Sequence, residues 1–139
     1  MAIQERSGEN SLNRYIAEVR AAWGDGKDPQ LPFKVAALME KLFSSTSPDD
    51  PWMAELIQGG KPSRELYRDP ELGFIQMGHV HKQGHGNKPH DHGPCWVVYG
   101  SFKGVTEITK YNRTDDGARE GVAKLETDRL DRLTPGVVV

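Results

Sequence analysis

Cysteine is almost missing from this chain, with Cys95 alone among 139 residues, so no internal disulfide can form. The same scarcity suits a reducing compartment. No apolar run approaches the ~18 residues of a membrane-spanning helix, and Met1-Ala2-Ile3-Gln4-Glu5-Arg6 lacks the charged-then-apolar order of a secretory leader. These absences predict a soluble protein that stays in the cytoplasm. Charge is balanced, with 18 Lys and Arg against 20 Asp and Glu for a formal net charge of -2, and no basic block follows the pattern of a phosphate-binding surface. Neither nucleic acid nor a membrane is an expected partner. Histidine is confined as well: all 5 residues fall between positions 79 and 92, and none follows His92.

A chain of this length is expected to form one domain, and its character changes near Gly59-Gly60. Residues 1–60 read as a helical segment. Ser11 is placed to cap a helix running through Trp23, with Leu12, Tyr15, Ile16, Val19 and Ala22 at helical spacing and Gly24 as its stop. Asp28-Pro29 opens a second helix, whose apolar stripe is Leu31, Val35, Leu38, Met39 and Leu42. Asp50-Pro51 opens a short third one, to about Gln58. Apolar residues at this spacing signify core. Residues 61–139 instead show short strands between Gly, Pro and Asp turns, expected near 64–68, 74–81, 89–92, 95–102, 105–111 and 122–133. That spacing predicts a β-sandwich or barrel.

The chemistry-bearing motif is Gly84-His85-Gly86-Asn87-Lys88-Pro89-His90-Asp91-His92. In an extended segment alternate side chains share a face, so His90 and His92 would converge on one point. Neutral imidazole is a common ligand of first-row transition metals. The pair therefore reads as half of a metal site, set against the plainer reading of two surface imidazoles. His79 and His81 also share a face, and are expected to be structural or to support metal-bound histidines through hydrogen bonds. Cys95 is expected to be an ordinary buried thiol.

With Gly84, His90, His92 and Gly104 in register, the segment resembles the first motif of the cupins, and among them the cysteine-dioxygenase-like thiol dioxygenases. Through His90-Asp91-His92-Gly93-Pro94 it is also similar to bacterial cupins described as predicted metal-dependent double-stranded β-helix enzymes. The resemblance implies a mainly β fold with N-terminal helices, the β part being a cupin jelly-roll barrel over 61–139. It further implies His90 and His92 as metal ligands and Fe(II) as the metal, with Zn, Mn and Ni as alternatives. The implied activity is oxygenation, by dioxygen, of a small anionic substrate such as a thiol. Arg68 resembles the arginine that grips the substrate carboxylate in cysteine dioxygenase, and a planar guanidinium fork is suited to that task. The competing reading of Arg68 is a solvated side chain paired locally with Asp69 or Glu71. The resemblance leaves room for a homodimer.

Two departures qualify these expectations. Val97 stands where the motif has Glu or, in thiol dioxygenases, a cross-linked Cys; Cys95 lies two residues early and does not replace it. The second cupin motif, with its third histidine, is missing, because Pro135-Gly136 is followed only by Val137-Val138-Val139. The barrel is accordingly expected to be truncated, with an open sheet near the C-terminus, an exposed His90/His92 pair and poor catalysis by this polypeptide. Two other functions stay open: a Zn, Mn or Ni cupin isomerase or hydrolase, and a non-catalytic small-molecule-binding or degenerate cupin.

Overall fold

A computed structural model of the chain describes residues 10–82, 84 and 86–139, and divides into two compact units, Met1–Asn87 and Lys88–Val139. The described residues form three helices, α1 (Ser11–Ala22), α2 (Leu31–Ser44) and α3 (Pro51–Gly59). They also form four strands, β1 (Arg64–Arg68), β2 (Ile75–Gly78), β3 (Thr106–Arg113) and β4 (Leu125–Leu133). The strands pair only as antiparallel β1–β2 and β3–β4. Among the described residues no helix is long and apolar enough to cross a membrane.

Where a mainly β jelly roll, truncated and open at its C-terminus, was expected, the described residues form a mixed α and β structure with two small two-stranded sheets and no closed barrel. In a closed barrel every strand has two neighbours; here each has one. The expected strand at 89–92 is absent, and of the one at 95–102 only an isolated Gly100–Val138 bridge forms. Pro89 and Pro94 lack amide donors, and Gly93 between them turns at φ 62°, so the segment cannot run a continuous ladder. The unit boundary also falls later than the change of sequence character at residue 60. The β1–β2 hairpin belongs with the helices because its side chains complete their core.

That core is the helical stripes themselves. Leu12, Tyr15, Ile16 and Val19 of α1, Leu31, Val35, Met39 and Leu42 of α2, and Trp52, Met53 and Leu56 of α3 are all buried, together with Leu66 and Tyr67 of β1. Gly78 ends β2 where a side chain has no room: a Cβ there would lie 2.9 Å from both Leu56 methyls and 3.2 Å from a Leu66 methyl. Beyond the hairpin turn, Phe74 packs its ring 5.0 Å from Trp23 and 5.6 Å from Tyr67.

Polar groups join these elements as specifically as the apolar ones. The helix cap is Asn10, whose Oδ1 accepts from the Asn13 amide at 2.7 Å, and not Ser11 as expected. Ser11 is buried in the first turn, where its hydroxyl accepts from Trp52 Nε1 at 3.0 Å and lies 2.6 Å from Thr46 Oγ1. Since Thr46 spends its proton on the Leu42 carbonyl at 2.7 Å, Ser11 must be the donor to Thr46. One directed chain, from Trp52 through Ser11 and Thr46 to Leu42, therefore ties α3, α1 and the end of α2.

The second polar joint is Asp69, whose side chain is wholly buried. Its Oδ1 accepts from the amides of Leu72 and Glu71 at 2.7 and 3.0 Å, which closes the turn between β1 and β2. Its Oδ2 accepts from Tyr67 Oη at 2.8 Å and from the Arg20 guanidinium of α1. Burial pushes the carboxyl pKa up, but these donors outweigh it and hold the group at about 2. Arg20 also reaches Glu71, at 3.3 Å.

Two outcomes follow from these joints. Ser11→Ala leaves the Trp52 indole N–H without its acceptor in the core and should cost about 1–3 kcal/mol in denaturant unfolding; an unchanged midpoint would refute the directed chain. Because the Asp69 pKa is depressed relative to an unfolded value of about 3.9, its stabilisation is complete above that value and is lost as pH falls toward about 2. Unfolding measured across that acid window should therefore fall more steeply in the natural chain than in Asp69→Asn, and identical slopes would contradict the assignment.

Candidate metal centre

His90 and His92 lie in the C-terminal unit, on an exposed segment that forms no strand. The rings nevertheless come together, with centres 5.1 Å apart and planes at 76°. Local contacts, not a sheet, place them. His90 Nδ1 lies 2.8 Å from the Lys88 carbonyl oxygen, which can only accept, so Nδ1 carries the proton in the neutral ring and Nε2 keeps its lone pair. Asp91 turns away to receive the Gly93 amide at 3.1 Å, and Gly93 takes the left-handed conformation that this turn requires. The carboxylate between the histidines therefore shapes the loop.

His92 has a partner seven residues further along the chain. Tyr99 Oη lies 3.0 Å from His92 Nε2, with the two ring centres 6.0 Å apart. Tyr99 is itself held by the chain end: its amide donates to the Val139 carbonyl at 2.9 Å, and its carbonyl accepts from the Val139 amide at 2.8 Å. The bridge and the Ser101–Val137 bond at 3.2 Å continue this pairing. Residues 137–139 are half-buried or exposed and serve as the clamp behind Tyr99. Burial raises the Tyr99 pKa, which keeps the phenol protonated and able to hydrogen-bond. The spacing from His92 to Tyr99 carried no signal of this contact, because it depends on the fold-back of the chain end.

The other expected site residues are placed as follows. Arg68 is in the N-terminal unit with its side chain 62% exposed; Nε and Nη2 both donate to Glu65 Oε1, at 3.0 and 2.6 Å. The local partner is thus Glu65, since Asp69 and Glu71 are taken by Arg20. Cys95 is exposed, which corrects the expected buried thiol: the segment around it forms no strand that would turn the side chain into a core. Val97, at the motif's carboxylate position, is 41% exposed. Gly104 turns with φ 80°, its carbonyl accepting from Ser101 Oγ at 2.9 Å. His85 lies outside the described residues.

Two imidazoles on one tetrahedral ion, with metal–nitrogen bonds of about 2.0–2.1 Å, have ring centres roughly 5 Å apart, and the 5.1 Å between His90 and His92 matches that separation. A histidine that gives its other ring proton to a backbone carbonyl is the usual setting of a metal ligand, and His90 has it. Among the described residues no group of three His, Cys, Asp or Glu side chains comes together to hold a metal ion. The pair would offer two nitrogens to such an ion, with further positions open to solvent or substrate. Comparison of the chain with models of known families, with curated proteins and with solved structures finds no match.

The backbone contact at Nδ1 has a direct spectroscopic consequence. Imidazole 15N shifts of the neutral, metal-free chain should show His90 as the Nδ1–H tautomer; a protonated Nε2 would mean that the Lys88 contact is not made.

Proposed function

We propose that the C-terminal unit binds a divalent first-row transition metal through His90 and His92, and that the bound ion carries the protein's chemistry. What supports the reading is the convergence of the two rings at 5.1 Å, with His90 Nδ1 anchored on Lys88. Fe(II) is the metal suggested by the cupin-like order of Gly84, His90, His92 and Gly104. With that metal the function is oxygenation of a small anionic substrate such as a thiol, in the manner of the cysteine-dioxygenase-like cupins.

When bound, the metal would supply Lewis acidity and a path for electron transfer to dioxygen. The chain supplies placement and charge. Two neutral imidazoles leave the ion's double positive charge uncompensated, which favours an anionic ligand in the remaining positions. Tyr99 Oη can accept from His92 Nε2–H, leaving Nδ1 with the lone pair, and so orient that ring.

Exposure of both histidines favours a second reading, binding of Zn, Mn or Ni without oxygen chemistry, because an open site does little to exclude water. Metal analysis with oxygen-uptake measurements separates the two. Iron with thiol-dependent oxygen consumption supports the oxygenase; another metal without uptake supports the alternative.

His90→Ala or His92→Ala should each lose most of the metal held by this pair while keeping the helical circular dichroism. Unchanged metal binding in both would end the proposal. Tyr99→Phe should retain the site but weaken it about 10–100-fold, the usual effect of removing a partner that orients a ligand. Equal affinity in equilibrium titration would leave Tyr99 without a positioning role.

A further inference from the structure

We propose that His79 and His81 form a second chelating pair for a divalent transition-metal cation, of the Zn(II), Ni(II) or Cu(II) type. It belongs to the N-terminal unit and stands on contacts that His90 and His92 do not share. The two rings have centres 5.5 Å apart and planes at 36°, again within the separation of about 5 Å that two imidazoles adopt on one ion. The backbone reason is visible in the burial of three consecutive residues. His79 and His81 are exposed on either side of a half-buried Val80, the alternation of an extended segment continuing from β2. Gly78 seats the start of that segment on Leu56 and Leu66, so the pair follows directly on a residue packed against the core.

His79 also has the anchoring that prepares an imidazole for a metal. Its Nδ1 lies 2.8 Å from Ser63 Oγ and 3.3 Å from the Pro62 carbonyl oxygen. A proton on Nδ1 serves both, because the carbonyl accepts only and the hydroxyl accepts as readily as it donates. Nε2 is then the bare nitrogen. This is the tautomer fixed by a neighbouring oxygen that metal-bound histidines commonly show. Imidazole pairs suit Zn, Cu and Ni above the harder oxygen-loving cations, so Mg and Ca are not expected ligands. With two protein donors, the remaining positions of the ion stay open to water or to a small ligand.

The experiment is Zn(II) titration of the full chain by equilibrium dialysis, with imidazole NMR as the site-specific readout. Variants are His79→Ala/His81→Ala, His90→Ala/His92→Ala and Ser63→Ala. Both side chains of the proposed pair are exposed, so their removal leaves the core intact. The His79→Ala/His81→Ala variant should bind one equivalent fewer than the natural chain. The His90→Ala/His92→Ala variant should still bind Zn(II), with His79 and His81 resonances shifting on addition. Ser63→Ala should weaken that retained equivalent about 10–100-fold. The proposal fails if the His79→Ala/His81→Ala variant keeps the natural stoichiometry, or if the His79 and His81 resonances do not move. It also fails if the His90→Ala/His92→Ala variant abolishes all binding.

Discussion

A single buried carboxylate organises the N-terminal unit. Asp69 closes the turn between two strands with one oxygen, and with the other it receives the phenol of β1 and the guanidinium of α1. Removing such a group from water is costly unless its lone pairs are filled, and here four donors fill them. The same contacts that satisfy the charge dock the hairpin on the helix. Tyr15 adds a bond from its hydroxyl to Gln76 Oε1 at 2.8 Å, so that α1 holds β2 as well. Everything carried on β1 and β2, from Arg68 at one end to the segment of His79 at the other, takes its position from this docking.

The C-terminal unit is held on a different principle. Its only buried residues are Ser101 and Leu133 among those described, and its long β3–β4 hairpin is exposed along most of both strands. Its order is polar and local. Asp131 accepts from Arg129 at 3.0 Å and lies 3.4 Å from Lys110, settling two cations that sit directly across the strands. Arg113 with Asp115 binds the connection, where the Lys124 amide reaches Asp115 at 3.1 Å. The histidine pair is of the same kind, set by a carbonyl, a phenol and a turn. Such contacts fix directions within a loop without enclosing it, which is why the proposed metal centre is open to solvent.

How much could be read in advance varied with the range of the interactions involved. The three helices and their buried stripes followed from spacing, because a helix closes its own hydrogen bonds and shows its core face as a period. Leu38, counted in the stripe, is only half-buried. β1 was legible to its ends, and β3 and β4 nearly so. The barrel was not: alternation announces a strand but not its neighbour, and Pro89, Gly93 and Pro94 were evidence against a ladder that the motif's likeness outweighed. Cys95 is exposed although free cysteine is usually buried, because no ladder forms around it.

By itself the sequence determined the helices, the turn residues and the concentration of histidines in pairs one residue apart, all properties that act over a few residues. Tertiary structure decided which strands pair, that Ser11 serves as a buried link instead of a cap, and that Arg68 is committed to Glu65. It also decided that Tyr99, clamped by the chain end, stands against His92. These depend on contacts between residues distant in sequence, whose free energy is settled by what the folded chain brings together and not by any local preference.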